Sequence, residues 1–266
     1  MNLHSDALKL KKDDSKISYA DAHCHLVPEW YTLEEIKEIV IKSKKNNVDL
    51  IINSAINFEH YQFGLDICKF ESIFLSIGIE PSHITNKRIN EFNDFFNQYK
   101  SEIVAIGEIG LDFHWVKEQE KRFEQEKYLN LLIDIAIEND KPIVIHSRAA
   151  EEKAIEILKK KGVEDVLMHC FEGTEEQARE ISKLSWYVTV PTSTIYRKNF
   201  QNVLKSVSLD SLMFETDSPF HSLEKNMKND PSSIPILCRH ASRILEVEES
   251  DLARITYQNT KTFYRI

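Results

Sequence analysis

Two histidines spaced i, i+2 close an apolar run in Asp21-Ala22-His23-Cys24-His25. An extended chain alternates its side chains, so His23 and His25 share one side and Cys24 takes the other. Two imidazoles so placed can grip one cation. Four further donors end short apolar runs: Glu108 after Ile103-Val104-Ala105-Ile106, His146 after Ile143-Val144-Ile145, His169 after Val166-Leu167-Met168, and Asp217 after Leu212-Met213-Phe214. Any one of these histidines alone is as well read as a hydrogen-bonded core residue; their shared place at run ends makes them a set. Neutral imidazoles mixed with carboxylates suit Zn, Mn or Mg better than copper or iron. Gly107 and Gly110 flank Glu108 and let backbone and ion come close. The two oxygens of Glu108 can bridge two cations, which an imidazole cannot do. His146 and His169 follow successive runs and point to a second ion held by both. Asp21 is placed to accept the other N–H of a ligating imidazole. Glu215 is expected to anchor neighbouring backbone while Asp217, two residues on, reaches the ion.

Such donors converge only if the runs are parallel strands whose carboxyl ends share one face, as in a barrel. Candidate strands lie at Ile17 to Ala22, Leu50 to Asn53, Ile73 to Ile77, Ile103 to Gly107, Pro142 to His146, Val166 to His169, Tyr187 to Val190 and Leu212 to Thr216. Between them run segments of helical period, such as Leu33-Ile36-Ile39-Val40 and Leu129-Leu132-Ile133-Ala136. Thr32 to Glu35 and Thr174 to Gln177 have capping-box spacing at two helix starts. No Gly-rich phosphate fingerprint follows the first strand, so an α/β fold made of a single (β/α)8 TIM-type barrel fits better than an open doubly wound sheet. The barrel is assigned to residues 17–266, and residues 1–16 read as a polar N-terminal tail.

The chain has 266 residues, enough for one large core without disulfide support. Its 34 basic and 43 acidic side chains give a net charge of -9, which argues against a general electrostatic grip on polyanions; any phosphate binding must be local. Four cysteines without CxxC spacing give no zinc-ribbon or thioredoxin signal, and reduced thiols in a cytoplasmic protein are expected, with Cys24 and Cys170 turned away from the neighbouring ligands. No apolar run approaches the roughly 20 residues of a membrane span.

Taken together, Asp21-Ala22-His23-Cys24-His25, Gly107-Glu108-Ile109-Gly110-Leu111-Asp112, His146-Ser147-Arg148, His169-Cys170-Phe171-Glu172-Gly173 and Glu215-Thr216-Asp217-Ser218-Pro219 resemble the TatD family of metal-dependent deoxyribonucleases, within the amidohydrolase superfamily. The resemblance runs from Tyr19 to Ile266. It implies a hydrolase with one or two divalent ions, His23, His25 and Asp217 holding the first, His146 and His169 the second, and Glu108 bridging. It also implies DNA as substrate, cut by several members as 3′ to 5′ exonucleases supported by Mg or Mn, and the low positive charge points to an end or a single strand entering the pocket. Two cations about 3.5 to 4 Å apart suit phosphodiester hydrolysis. Asp217 is then both ligand and proton acceptor.

For the substrate, Arg148 offers two parallel N–H groups to a phosphate, or a salt bridge to a loop acid. His114 and Trp115, on the Glu108 loop, are placed to stack on a terminal nucleotide, with core packing the other fate of Trp115. Arg197 and Lys198 follow the seventh strand, where barrels often bind phosphate, and otherwise read as a solvated basic pair. One loop departs from the family pattern Gly-x-His-Pro-His: here it reads Gly78-Ile79-Glu80-Pro81-Ser82-His83, with an acid in place of the first histidine and His83 one place late as a substrate contact. The competing readings are a hydrolase of amides, esters or lactones, since a fold does not fix a substrate, and a metal-binding scaffold without turnover.

Overall fold

The computed structural model describes residues 17–224 and 226–266. The polar tail assigned to residues 1–16 lies outside them. Eight parallel strands follow in chain order around one sheet. They are β1 (Tyr19–Cys24), β2 (Val48–Ala55), β3 (Ile73–Ile77), β4 (Ile103–Asp112), β5 (Ile143–Arg148), β6 (Val166–Met168), β7 (Tyr187–Pro191) and β8 (Leu212–Glu215). The outer layer holds α1 (Leu33–Lys45), α2 (Phe58–Ile67), α3 (Asn86–Tyr99), α4 (Gln119–Glu138), α5 (Glu151–Lys161), α6 (Glu175–Lys183), α7 (Lys198–Ser206), α8 (Ile234–Leu245) and α9 (Glu249–Tyr264). This is the (β/α)8 architecture that the alternating runs require.

Both predicted capping boxes form. Thr32 and Thr174 each accept from the backbone N–H three residues on, and the side chains of Glu35 and Gln177 accept from the cap N–H in return. The first strand begins two residues later than its apolar run suggests, at Tyr19, because Ile17 is exposed and Tyr19 instead pairs through its N–H with the Asn47 carbonyl.

Two apolar layers hold the sheet. Strand side chains facing outward pack against the helices, while Ala22, Ile52, Ala105, Val144, Leu167 and Met213 face inward and fill the barrel. Phe263 and Tyr264, at the end of α9, join that inner layer, and the Tyr264 hydroxyl donates to the Ala22 carbonyl at 2.8 Å.

The seam between β1 and β8 is closed differently from the other junctions. The Asp21 carboxylate accepts from both the Thr216 N–H and the Thr216 hydroxyl. Beyond it, the Asp217 N–H donates to the His23 carbonyl at 3.0 Å and the His25 N–H to the Ser218 carbonyl at 2.8 Å. Asp21 is thus spent on the seam and not on an imidazole, contrary to the role its position suggested.

Gly110 permits the closest approach near the site. It pairs with His146 across β4 and β5, and a Cβ there would lie 1.9 Å from the His146 carbonyl oxygen. Gly110→Ala is therefore expected to push the two strands apart and to destabilise the fold by at least about 2 kcal/mol, as overpacking does. Urea denaturation of the variant measures this; an unchanged midpoint would show that the strands yield without cost.

Candidate functional site

β4 continues to Asp112, so Glu108, Gly110 and Asp112 alternate with buried Ile109 and Leu111. This brings Glu108 to the centre of the barrel mouth, where four imidazoles surround it. Its Oε1 lies 2.7 Å from His146 Nδ1 and 3.2 Å from His169 Nε2. Its Oε2 lies 3.4 Å from both His23 Nε2 and His25 Nε2. Each oxygen of one carboxylate thus serves its own pair of histidines.

Asp217 completes the first pair. Its Oδ1 is 3.4 Å from His25 Nε2 and 3.8 Å from His23 Nε2, and the two imidazole nitrogens are 3.3 Å apart. A cation held tetrahedrally by N and O donors at about 2.1 Å needs donors spaced by about 3.4 Å. The five spacings just given among His23, His25, Glu108 and Asp217 run from 3.3 to 3.8 Å, so this donor set fits one divalent cation. His169 is drawn toward the same centre, its ring stacked on that of His23 at 4.1 Å, and groups with His23 and Glu108 as a second three-donor set.

The surrounding groups fix the rings. His25 Nδ1 faces the Ser54 carbonyl at 2.9 Å, and His146 Nε2 faces Asp112 Oδ2 at 3.0 Å. Asp112 also accepts from the Trp115 N–H, tying the loop to the strand. Glu215 does not anchor backbone. Fully buried, with neither oxygen in a hydrogen bond among the described residues, it faces His169 Nδ1 at 3.6 Å, because β8 ends there with its side chain pointing into the mouth. These contacts would orient the imidazoles if they ligated a cation.

The charges are interdependent. Burial alone would lower the pKa of His25, but hydrogen bonds to Asp217 and Glu108 raise it to about 10. Burial likewise works against His146, which hydrogen bonds to Asp112 and Glu108 raise to about 9. His169 is raised well above the usual range by Glu108 and Glu215 against its own burial. His23 goes the other way, lowered by burial and by the neighbouring His169 charge. Burial opposes ionisation of Asp217, yet His25 and His169 hold it down to about 2.

With these shifts the stability of the metal-free protein has a defined pH profile. His25 and His146 are raised above their ordinary 6.5, so their contribution is full below pH 6.5 and is lost as the pH rises through about 9 to 10. Asp217 is lowered from 3.8, so its contribution is full above pH 3.8 and is lost as the pH falls toward 2. The chelator-treated protein should thus show its urea midpoint falling between pH 6.5 and 9. A cation competes with the same protons and should abolish that fall. A flat profile without metal would mean that the imidazoles are neutral in the empty cluster.

Above the cluster opens a cavity of about 520 Å³. Arg148 lies in its wall with no ion pair among the described residues, its guanidinium 5.6 Å from the Trp115 ring centre. Trp115 is 67% exposed, which settles against core packing. His114 packs edge-on against Trp115 at 4.7 Å and stands outside the cavity wall. His83 is also outside it: the turn at Pro81–His83 folds its ring back onto Glu80 at 2.9 Å, and Glu80 and Ser82 face the cavity instead. Arg197 is in the wall but pairs with Glu172, while Lys198 opens α7.

Several wall residues, Trp30, Phe220 and His221 among them, were not singled out from the sequence. Trp30 and Phe220 form an edge-to-face pair at 5.7 Å in the same wall as Trp115, and they sit in loops whose composition carries no period. His221 and Cys170 also line the cavity. Cys170 turns toward the site and not away, because β6 stops at Met168 and Cys170 takes a left-handed backbone with φ of 42° that ends the alternation. All four cysteines are free thiols, and no helix among the described residues is long and apolar enough to cross a membrane.

A family profile described as TatD related DNase matches residues 20–265. An uncharacterized metal-dependent hydrolase of Methanocaldococcus jannaschii is 30% identical over 94% of this chain and 98% of its own length. A human protein named deoxyribonuclease TATDN3 is 27% identical over 91% of this chain and 93% of its own. Among solved structures, an Escherichia coli TatD homologue superposes with a TM-score of 0.86 at 21% identity, covering 93% of this chain and 98% of that one. With a match spanning nearly every residue and a buried donor set at the barrel mouth, the chain belongs to the TatD-related DNase family of metal-dependent hydrolases.

Proposed function

We propose that this protein hydrolyses phosphodiester bonds of DNA, acting on ends or single strands as an exonuclease. The observation that carries the reading is the Glu108 carboxylate with one oxygen between His23 and His25 and the other between His146 and His169. His23, His25 and Asp217 would hold one divalent ion, His146 and His169 a second, and Glu108 both; Mg, Mn and Zn are the candidates. Bound there, such ions lower the pKa of water, polarise the phosphoryl oxygen and stabilise the leaving oxygen.

The protein's own groups do the rest. Asp217 Oδ1 faces the cluster as a donor, which leaves Oδ2 as the oxygen placed to accept a proton from attacking water. Arg148, in no ion pair among the described residues, is the group that positions a phosphate, and Trp115 beside it offers a face to a base. Glu29, Glu80, Glu151 and Glu172 also line the cavity, so only a short stretch of polyanion is welcome. That acidic rim and the net charge of -9 favour entry of a strand end over a grip on a duplex.

Turnover of a labelled single-stranded oligonucleotide, a dinucleotide and an aryl ester, compared with Mg or Mn present and chelated, tests the reading. Metal-dependent release of mononucleotides from the oligonucleotide is expected. Cleavage of the ester alone would replace the nuclease reading with that of a small-molecule hydrolase on the same barrel.

A further inference from the structure

A third donor set lies beside the first two and shares only Asp217 with them. Cys170, Asp217 and His221 offer one ligand atom each, all within 4.8 Å of one another. His221 Nε2 is 3.4 Å from Cys170 Sγ and 3.5 Å from Asp217 Oδ2. A zinc-like ion held tetrahedrally needs about 3.6 Å between a thiolate and an imidazole donor, and about 3.3 Å between imidazole and carboxylate. The spacings match. The other ring nitrogen of His221, Nδ1, is 2.6 Å from the Ser193 hydroxyl, which can accept a hydrogen bond from Nδ1–H and leave the Nε2 lone pair for a cation. The Thr192 hydroxyl donates to the His221 carbonyl at 2.7 Å, and the Cys170 N–H donates to the Thr189 hydroxyl at 3.0 Å, so both donors are held from β7 and the turn after it.

Asp217 divides its two oxygens between the sets: Oδ1 faces His25 and Oδ2 faces His221. We propose that Cys170, His221 and Asp217 form a separate site for a thiophilic divalent cation of the zinc, cadmium or cobalt class, and that filling it inhibits hydrolysis. The thiol selects against Mg and Mn, which prefer oxygen ligands. Binding forms a metal–sulfur bond, and the Sγ proton leaves to solvent. All three residues line the cavity, so the ion reaches them without opening the barrel. The inhibitory part rests on Asp217 being the proton acceptor of the proposed hydrolysis, because a carboxylate with both oxygens on cations has none left for a proton.

The test is titration of the whole protein with cobalt(II), followed by the thiolate-to-cobalt charge-transfer absorption, with zinc content by elemental analysis. The wild type should develop the band and hold one zinc ion more than Cys170→Ser or His221→Asn, both of which should lack the band. Asn tolerates the left-handed backbone of residue 221, where φ is 52°, so the second variant decides if the first misfolds. Cys68→Ser, altering the other partly buried thiol, should keep the band. No band in the wild type, or a band retained in both variants, overturns the site. Loss of the band with unchanged zinc content also overturns it, since the thiol would then belong to the central cluster. Excess zinc should slow wild-type turnover at least about fivefold relative to Mg alone and affect the variants less; equal inhibition in all overturns the inhibitory role. The band needs no substrate, so it is read independently of whether DNA is cleaved.

Discussion

Asp217→Asn is expected to cut turnover by about 10²- to 10⁴-fold, the usual cost of losing a general base, while most of the metal stays bound. The amide keeps an oxygen where Oδ1 now faces His25 and His23, at 3.4 and 3.8 Å. It cannot accept the proton of attacking water. The backbone will not confuse the result: residue 217 has a φ of 50°, and Asn is among the few residues at ease there. The measurement is turnover of a labelled oligonucleotide at saturating Mg or Mn, alongside metal content by elemental analysis. Near-normal turnover with a full metal complement would remove Asp217 as the base.

Glu108→Gln should fail in the opposite way, by emptying the site. Glu108 is buried, and each of its oxygens lies among two imidazoles at 2.7 to 3.4 Å. An amide turns an NH2 toward one of those pairs, and that group cannot ligate. Metal affinity should fall by at least about 100-fold, since loss of even an outer-sphere partner costs about 10- to 100-fold. Without metal the variant also leaves protonated imidazoles facing a neutral group, a broken buried ion pair worth about 3 to 5 kcal/mol. Calorimetric titration with Mn and chelated urea denaturation at neutral pH read the two effects separately. Wild-type affinity in the variant would show that Glu108 balances imidazole charge and bridges nothing.

The barrel was legible because each strand writes a short apolar run and each helix a longer period, and each of the eight candidate strand runs became a strand. The cluster was legible for a related reason: a donor that closes such a run has nowhere to go but the mouth. Alternation also contained Asp112, since Glu108, Gly110 and Asp112 are spaced by two, and reading β4 to its end would have placed it on His146. Other features were out of reach. Cys170 and His221 owe their directions to left-handed backbone at 42° and 52°, which periodicity cannot foresee. His83 was read by position against a family loop, but the change to Glu80 gave it a nearer partner, and its ring folds onto that acid outside the cavity wall while Glu80 faces the cavity. Trp30 and Phe220 meet across loops far apart in sequence, where only the finished fold sets the distance.

The way β1 meets β8 bears on when the cation site comes into being. Asp21 and Thr216 are joined across 195 positions of chain, and the donors on either side of that junction, His23 and His25 on one and Asp217 on the other, are separated just as widely. Contacts of such separation are the costliest to close and are made late in folding. A growing chain holds its first two imidazoles from the start and lacks their partner until the eighth strand has emerged and docked. A cation held there as proposed would span the junction and act as a clasp on a ring, cross-linking the two ends of the barrel wall when they have found each other. Loading reports completion: a chain halted before Leu212 has half a grip, and the ion has little reason to stay.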